Sequence, residues 1–276
     1  MRTIIAPTDF SAISLNAVNY AADMAVATNA ELLLFHVVQI PATVIEVPLT
    51  EMEYQEMTED ASEHLAKLVD QLSMRTKEKI NIHTKSMVGS VEHAVKELCN
   101  QKEPFVVIMA TKGVGAAERF FIGSKTLYAV NHLNYPVLVI PQNVSFKRIK
   151  KITLASDLKE IKIASIKFFK ELLTNFHATL DIINVSRSDS INADAVSGSI
   201  SLQNLFSEFH PQFHFIDEDN VEKGVYEFVE KANSDLLIVI PKKHGLFGTF
   251  FHKSQSKEFI LHPRIPILAI PEKLNT

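Results

Sequence analysis

The chain has 276 residues, 46% of them hydrophobic, with a net charge of −4 and a pI near 6.3. That is apolar material for one large core or for two of about 140 residues. It offers no global positive field to draw nucleic acid or an anionic membrane. The one cysteine rules out an intrachain disulfide, and no apolar run approaches the roughly eighteen residues of a membrane span. Met1-Arg-Thr-Ile-Ile leads straight into a strand pattern without a signal peptide's apolar stretch, so a cytoplasmic protein is expected.

The first strand is expected from Thr3 to Asp9 and is followed by Ser11, a good N-cap. The helix it opens carries Ala17, Val18, Ala21 and Ala25 as a small-residue face for close packing, and ends near Thr28-Asn29. Glu31 to Val38 reads as the second strand. A loop holding Pro41 and Pro48 leads to a long helix from about Glu51, with Met57, Ala61, Leu65, Leu68 and Leu72 at helical spacing. Glu51, Glu53 and Glu56 come early in it and Arg75, Lys77 and Lys79 late, as the helix dipole prefers, so this charge run is a solvated face. Ile80 to Met87 makes a third strand, and Ser90 caps a helix in which Cys99 reads as a small core residue. Phe105-Val-Val-Ile-Met109 is an uninterrupted apolar run, as a strand covered on both faces requires, and is expected to leave the sheet at Ala110. A helix capped by Ser124 and running towards Asn131, then a strand within Tyr135 to Pro141, complete the pattern. The alternation β-α-β-α-β-α-β-α-β implies an open parallel sheet with helices on both faces, whose ligands sit beyond the carboxyl ends of its strands.

Between the fourth strand and its helix, Gly113 and Gly123 bracket nine residues. A helix start there presents free N–H groups and a positive dipole end, a place for phosphate. The same residues also suit an ordinary strand-to-helix connection. Asp9 ends the first strand, Val37 the second, and Gly113 follows the fourth, so the three are expected to converge on one crevice, with capping of the first helix a lesser alternative use of Asp9.

The chain repeats itself. Ala30-Glu-Leu-Leu-Leu-Phe-His-Val37 lies on Ala178-Thr-Leu-Asp-Ile-Ile-Asn-Val185 at an offset of 148, which also carries Asp9 onto Asp157. Tyr135-Pro-Val-Leu-Val-Ile-Pro141 falls on Ile265-Pro-Ile-Leu-Ala-Ile-Pro271 at an offset of 130, so the second copy is 18 residues shorter midway. Two domains are expected, 1–143 and 148–276, joined near Gln142 to Lys150. In the second, Pro241-Lys-Lys-His244, nine residues and Ser254-Gln255 stand at the loop, with no glycine at its glycine positions. The segment Ser186 to Ser201 reads as a mobile loop before a short helix around Leu202 to Phe209. Phe120, Phe121 and Phe251 read as core.

Eleven histidines raise the question of a metal. His210 and His214 are four apart, but Pro211 breaks any helix between them, and no metal site is assigned. His244, His252 and His262 lie near the altered loop with no ligand spacing to join them. The chain contains no Gly-x4-Gly-Lys-(Ser/Thr), Gly-x-Ser-x-Gly or His-Glu-x-x-His motif, and no catalytic residue is assigned.

Gly113, the nine residues Val114 to Ile122, Gly123 and Ser124 resemble the loop of the universal stress protein family, Gly-x2-Gly-x9-Gly-(Ser/Thr), with Ala110 in place of the first glycine. Thr3 to Ser11, Leu34 to Val37 and Tyr135 to Pro141 resemble that family's first, second and last strands, so the likeness spans the chain's first half. It implies a Rossmann-like fold of the adenine nucleotide alpha hydrolase type, as two tandem five-stranded parallel sheets. Pro7, Thr8 and Asp9 would then lie against adenosine, and Val37 would offer its main chain to adenine. Met109 and Ala110 would lead into the loop, while Gly113, Gly123, Ser124 and Thr126 hold ribose and phosphates. Lys112 and Lys125 are placed to add charge, though both also suit plain solvent exposure. The implied ligand is ATP, with or without Mg²⁺, or else AMP or ADP. The implied role is stress response or signalling more than catalysis, with slow ATP hydrolysis at most. A methyl group at Ala110 stands where backbone should pass close to the ligand. That departure keeps open a nucleotide-independent interaction module, and an ATP-using phosphoryl or nucleotidyl transferase is a third reading. The second domain is expected to bind no ATP. The two final strands are expected to meet edge to edge, making the chain a pseudo-dimer, with a further homodimer open.

Overall fold

Successive side chains of a strand face opposite ways, so a strand apolar throughout needs cover on both sides. Strand β1 (Thr3–Pro7) is of this kind: Ile4 and Ala6 belong to one apolar core and Ile5 to another. A computed structural model of the chain, describing residues 2–39, 50–111, 123–158, 161, 163–186, 193–241 and 263–274, shows where that cover comes from.

In the amino-terminal half, β1 is followed by α1 (Ala12–Thr28), β2 (Glu31–Val38), α2 (Glu51–Thr76), β3 (Ile82–Val88), α3 (Val91–Lys102), β4 (Val106–Ala110), α4 (Ser124–His132) and β5 (Val137–Ile140). The strands are parallel in the order β3-β2-β1-β4-β5. Helices α1 and α2 cover the Ile4 face, and α3 and α4 cover the Ile5 face. Local chemistry sets the ends. Ser11 caps α1 by accepting from Ser14 N, and Asn29 closes it in the left-handed conformation at φ 50°. Thr50 and Glu53 form a reciprocal capping box at the start of α2, and Ser90 caps α3. Cys99 is fully buried in the core beneath α3.

The carboxy-terminal half runs β6 (Lys151–Ala155), α5 (Ile163–Phe176), β7 (Thr179–Ser186), α6 (Ala193–Leu205), β8 (Gln212–Asp217), α7 (Val221–Ala232), β9 (Leu236–Val239) and β10 (Ile267–Ala269). Its strands take the corresponding order β8-β7-β6-β9-β10. Bonds recur at the sequence offset: Glu31 N donates to Arg2 O at 2.9 Å and Thr179 N to Lys150 O at 2.9 Å, while Ala30 N donates to Ala25 O and Ala178 N to Leu173 O. Helix α6 has 13 residues against 26 in α2, which accounts for most of the missing length.

The two parallel sets do not stand apart. β10 pairs antiparallel with β5, Leu268 opposite Leu138, to give one sheet of ten strands. Each apolar core continues across that seam. Phe105, before β4, lies 5.0 Å from Phe168 of α5, and Arg2 pairs with Glu171 while stacking over Phe105. Phe146, from the irregular connecting segment, meets Tyr20 edge-on at 5.1 Å and Phe176 at 6.4 Å.

β4 ends at Ala110, its last pair being with Ile140, as expected. One expectation is corrected. Ser186 to Ser201 is not a loop throughout, since α6 already begins at Ala193 and is followed only by a single 3₁₀ turn at Ser207–Phe209. Serine and glycine are weak helix formers, but contact outweighs propensity here. Gly198 lies against the carbonyl of Leu158, and the Ser199 and Ser201 hydroxyls donate to the carbonyls of Val196 and Ser197.

Candidate functional site: the crevice between β1 and β4

The strand order reverses at β1, whose two neighbours β2 and β4 lead away in opposite directions along the chain. β1 and β4 pair at Ile4–Val106 and Ile5–Val107. Beyond that they part: Thr8 N donates to Phe35 O of β2 at 2.9 Å, while Thr111 N donates to Ile140 O of β5 at 3.1 Å. The residues just past the two strands are thus tied to opposite flanks, leaving a crevice at the strands' carboxyl ends, where sheets of this order place ligands.

Pro7, Thr8 and Asp9 form one wall. Thr8 is buried, and its hydroxyl lies 3.1 Å from Ser14 Oγ and accepts from Phe10 N at 3.0 Å. The exposed Asp9 accepts from Ser11 N at 3.0 Å and Ser11 Oγ at 2.6 Å, an Asx-type turn, so Ser11 and not Asp9 caps α1. Desolvation works to raise the Asp9 carboxyl, but hydrogen bonds from Ser11 and Ser14 outweigh it and hold the group below the ordinary carboxylate range. Phe10 takes a left-handed φ of 61°.

Val37 lies on β2 beyond the last residue paired with β1. A residue between two parallel neighbours turns both its N–H and C=O towards one of them, alternating along the strand. Phe35 O serves β1 and Val38 O accepts from Gly89 N on the β3 side, so Val37 turns its main chain to the side β1 has left. Its side chain is buried in the core under α3 and α4.

Met109 and Ala110 end β4, and α4 begins across from them. Here the structure corrects the expected cap: Gly123 is the N-cap, Ser124 is the first helical residue and exposed, and no side chain caps the helix. Thr126 and Leu127 N–H groups turn back to Gly123 O at 2.9 and 3.1 Å. Thr126 is buried and donates its hydroxyl to Ala110 O at 2.9 Å, fixing the helix start to the strand end. A Cβ on Gly123 would lie 3.3 Å from Thr126 Oγ1, so glycine here allows close approach. Lys125 is half-buried. Gly113, Lys112, Phe120 and Phe121 lie outside the described residues, as do His244, Phe251, His252, Ser254, Gln255 and His262.

Sequence reasoning passed over two residues of this site. Ser14 joins Thr8, Asp9 and Ser11 in one hydroxyl network, and His36 places Nδ1 2.8 Å from Thr8 O. The repeat held a signal for the second, because Asn184, the counterpart of His36 at the offset of 148, is also a hydrogen-bonding side chain.

Among the described residues, the second half departs from this arrangement at two positions. Ser156 N donates to Ile183 O at 3.0 Å, as Thr8 does to Phe35, but Pro241 stands in place of Thr111 and has no N–H to give. Leu158, the counterpart of Phe10, is 2% exposed beneath α6. His214 lies on β8 with Nε2 3.0 Å from Asp181, whereas His210 closes the 3₁₀ turn. No group of three or more metal-ligating side chains occurs among the described residues.

A doubly wound parallel sheet with a crevice at its order reversal defines a protein of the Rossmann-like α/β class. Within that class, a sequence model of the Universal stress protein family matches residues 1–141, and the chain belongs to that family. The curated Universal stress protein MJ0531 of Methanocaldococcus jannaschii is 27% identical over 142 residues, covering 50% of this chain and 81% of that protein. A solved universal stress protein from Archaeoglobus fulgidus matches with a TM-score of 0.74 at 16% identity, over 98% of this chain and 96% of its own. A solved putative universal stress protein from Pseudomonas aeruginosa matches with a TM-score of 0.64 at 12% identity, over 98% and 93%. Both structures share the fold along the whole chain, including its second half.

Proposed function

We propose that the amino-terminal half binds ATP or another adenine nucleotide in the crevice between β1 and β4 and acts by that binding in stress response or signalling in the cytoplasm. The observation that carries the reading is the parting of β1 and β4 beside a helix start that no side chain caps. N–H groups at the start of α4 and its dipole favour phosphate, and Lys125 adds charge. Val37 main-chain groups suit the edge of a base, and the Thr8–Asp9 turn suits adenosine. Gly113, Gly123, Ser124 and Thr126 match the family loop that holds ribose and phosphates. The Thr126 hydroxyl is donated to Ala110 O, so it offers a ligand its lone pairs.

The chain reads as two domains, 1–143 and 148–276, arranged as an intramolecular pseudo-dimer. The antiparallel β5–β10 pair and the shared cores support that reading. The second domain is structural or regulatory, because Leu158 is buried and Pro241 lacks a donor where the first domain opens its crevice.

The mass of any small molecule released on denaturing freshly purified protein is the first test, and an adenine nucleotide is expected. The second is an ATP titration of wild type beside Gly113→Asp, whose carboxylate would oppose the phosphates. Loss of even one charge-assisted hydrogen bond, about 1.5–3 kcal/mol, weakens binding by roughly tenfold or more. Equal affinity in the two proteins would remove the assignment, and no affinity in either would favour a nucleotide-independent interaction module.

A further inference from the structure

We propose that His36 is the positioning residue for the Thr8–Asp9–Phe10 turn and, through that turn, for the adenosine wall of the crevice. Only the second step rests on the nucleotide reading. Phe10 holds φ at 61°, a left-handed conformation that any residue with a Cβ resists. Neither glycine nor asparagine stands there to relieve it. Local bonds to the Thr8 and Asp9 side chains and tertiary contacts from β2 and α2 therefore hold the turn together.

One of these contacts is a local hydrogen bond, Phe10 N donating to Thr8 Oγ1 at 3.0 Å, and the second is tertiary, His36 Nδ1 lying 2.8 Å from the Thr8 carbonyl oxygen. A carbonyl only accepts, so Nδ1 carries the proton and donates, in the neutral ring and the charged ring alike. The third contact is the face of the imidazole. Phe10 stacks on His36 with centroids 4.6 Å apart and planes 28° from parallel, and His64 lies 5.3 Å from the same ring. His64 is itself anchored, with Nδ1 2.8 Å from Asp60 O.

The second half repeats the device with different chemistry. Leu158 holds φ at 57°, Leu158 N donates to Ser156 Oγ at 3.0 Å, and Asn184 Nδ2 donates to Ser156 O at 3.0 Å. Asn184 stands 148 residues after His36 and Ser156 148 after Thr8. An imidazole in one half and an amide in the other deliver one hydrogen bond to one carbonyl. The bond is therefore what the turn requires, and the Phe10 stack is an addition confined to the half with the open crevice. Leu158 is buried under α6, so Asn184 supports a turn with no ligand to serve. It is the internal control.

The test uses the full chain, with hydrogen exchange of the Thr8 to Ser14 segment measured without nucleotide and ATP titrated separately. His36→Leu is expected to speed exchange of that segment about tenfold and to weaken ATP about tenfold, because affinity falls with the fraction of molecules whose turn is competent. His36→Asn keeps the donor and is expected to restore both to within about threefold of wild type. Asn184→Leu is expected to loosen the Ser156–Leu158 turn and to leave ATP affinity within about twofold. Melting temperatures of the two leucine variants separate positioning from stability, since a role confined to stability would lower both and leave ATP binding alone. Exchange in His36→Leu equal to wild type would overturn the proposal. So would unchanged ATP affinity in that variant when wild type binds. If wild type binds no ATP, the nucleotide reading falls, and the exchange arm alone decides whether His36 holds the turn.

Discussion

Gly198→Ala sets local propensity against tertiary contact. In the interior of α6, alanine in place of glycine is worth about 1 kcal/mol of added helix stability. Yet a Cβ there would overlap the Leu158 carbonyl oxygen and come within 2.7 Å of its carbon, against a preferred separation of about 3.5–4.0 Å. The neighbour is main chain, which no rotamer change can move aside. Helix α6 must therefore back away by about an ångström, loosening Leu158 and Leu202, each 2% exposed, and Phe206, which packs 4.9 Å from Phe169. Overpacking costs of about 1–3 kcal/mol, raised here by contact with backbone, outweigh the propensity gain and leave the variant about 1–2 kcal/mol less stable. With a urea slope near 3 kcal/mol/M for a chain of this size, the midpoint should fall by about 0.3–0.7 M. Urea denaturation followed by circular dichroism measures it. A midpoint equal to or above that of wild type would refute the close packing of α6 on the β6 turn.

Three other outcomes are expected. Thr126→Val removes the bond to Ala110 O and should cost about 1–2 kcal/mol and weaken ATP, while Thr126→Ser should keep ATP affinity; paired melting and titration experiments check both. Asp9 has a depressed folded-state pKa, so its contribution to stability is present above its unfolded pKa and is lost as pH falls through the lower folded value. Asp9→Asn should therefore be less stable than wild type at pH 7, with the difference vanishing as pH falls through the lowered folded-state pKa; a difference independent of pH would contradict the Ser11 and Ser14 hydrogen bonds. Burial pushes the Cys99 thiol up to about 12, so at pH 8 a thiol-specific disulfide reagent should label it only after unfolding, and prompt labelling of the native protein would show the α3 core to be open.

Much of the framework around the candidate site was legible as sequence because its parts are local. Ser11 as N-cap, Glu31 to Val38 as a strand and Ser90 as a cap each follow from a few adjacent residues, and all three stand in the structure. Asp9 was ambiguous between capping and binding because both uses need an acceptor at the end of β1. Distance resolved the capping half of that question: the carboxylate reaches Ser11 N and Oγ, and Ser11 does the capping. The start of α4 was placed one residue late because Gly-Ser suits either residue as N-cap, and the choice fell to the close approach of Gly123 to Thr126. His36 went unnoticed because its partner is a main-chain carbonyl 28 residues away, which carries no side-chain signature.

By itself, the amino-acid sequence determined the strand and helix alternation, the parallel class of the sheet, the repeat at offsets of 148 and 130, and the candidate residues at the strand ends. Each of these depends on apolar periodicity or on a motif a few residues long. Tertiary structure alone decided the antiparallel register in which β5 and β10 meet, Leu268 opposite Leu138, that α6 forms from a serine- and glycine-rich run, and that a left-handed Phe10 is held beside the crevice. Those outcomes depend on contacts between residues far apart in the chain, where a neighbour's carbonyl or ring outweighs what the local sequence prefers.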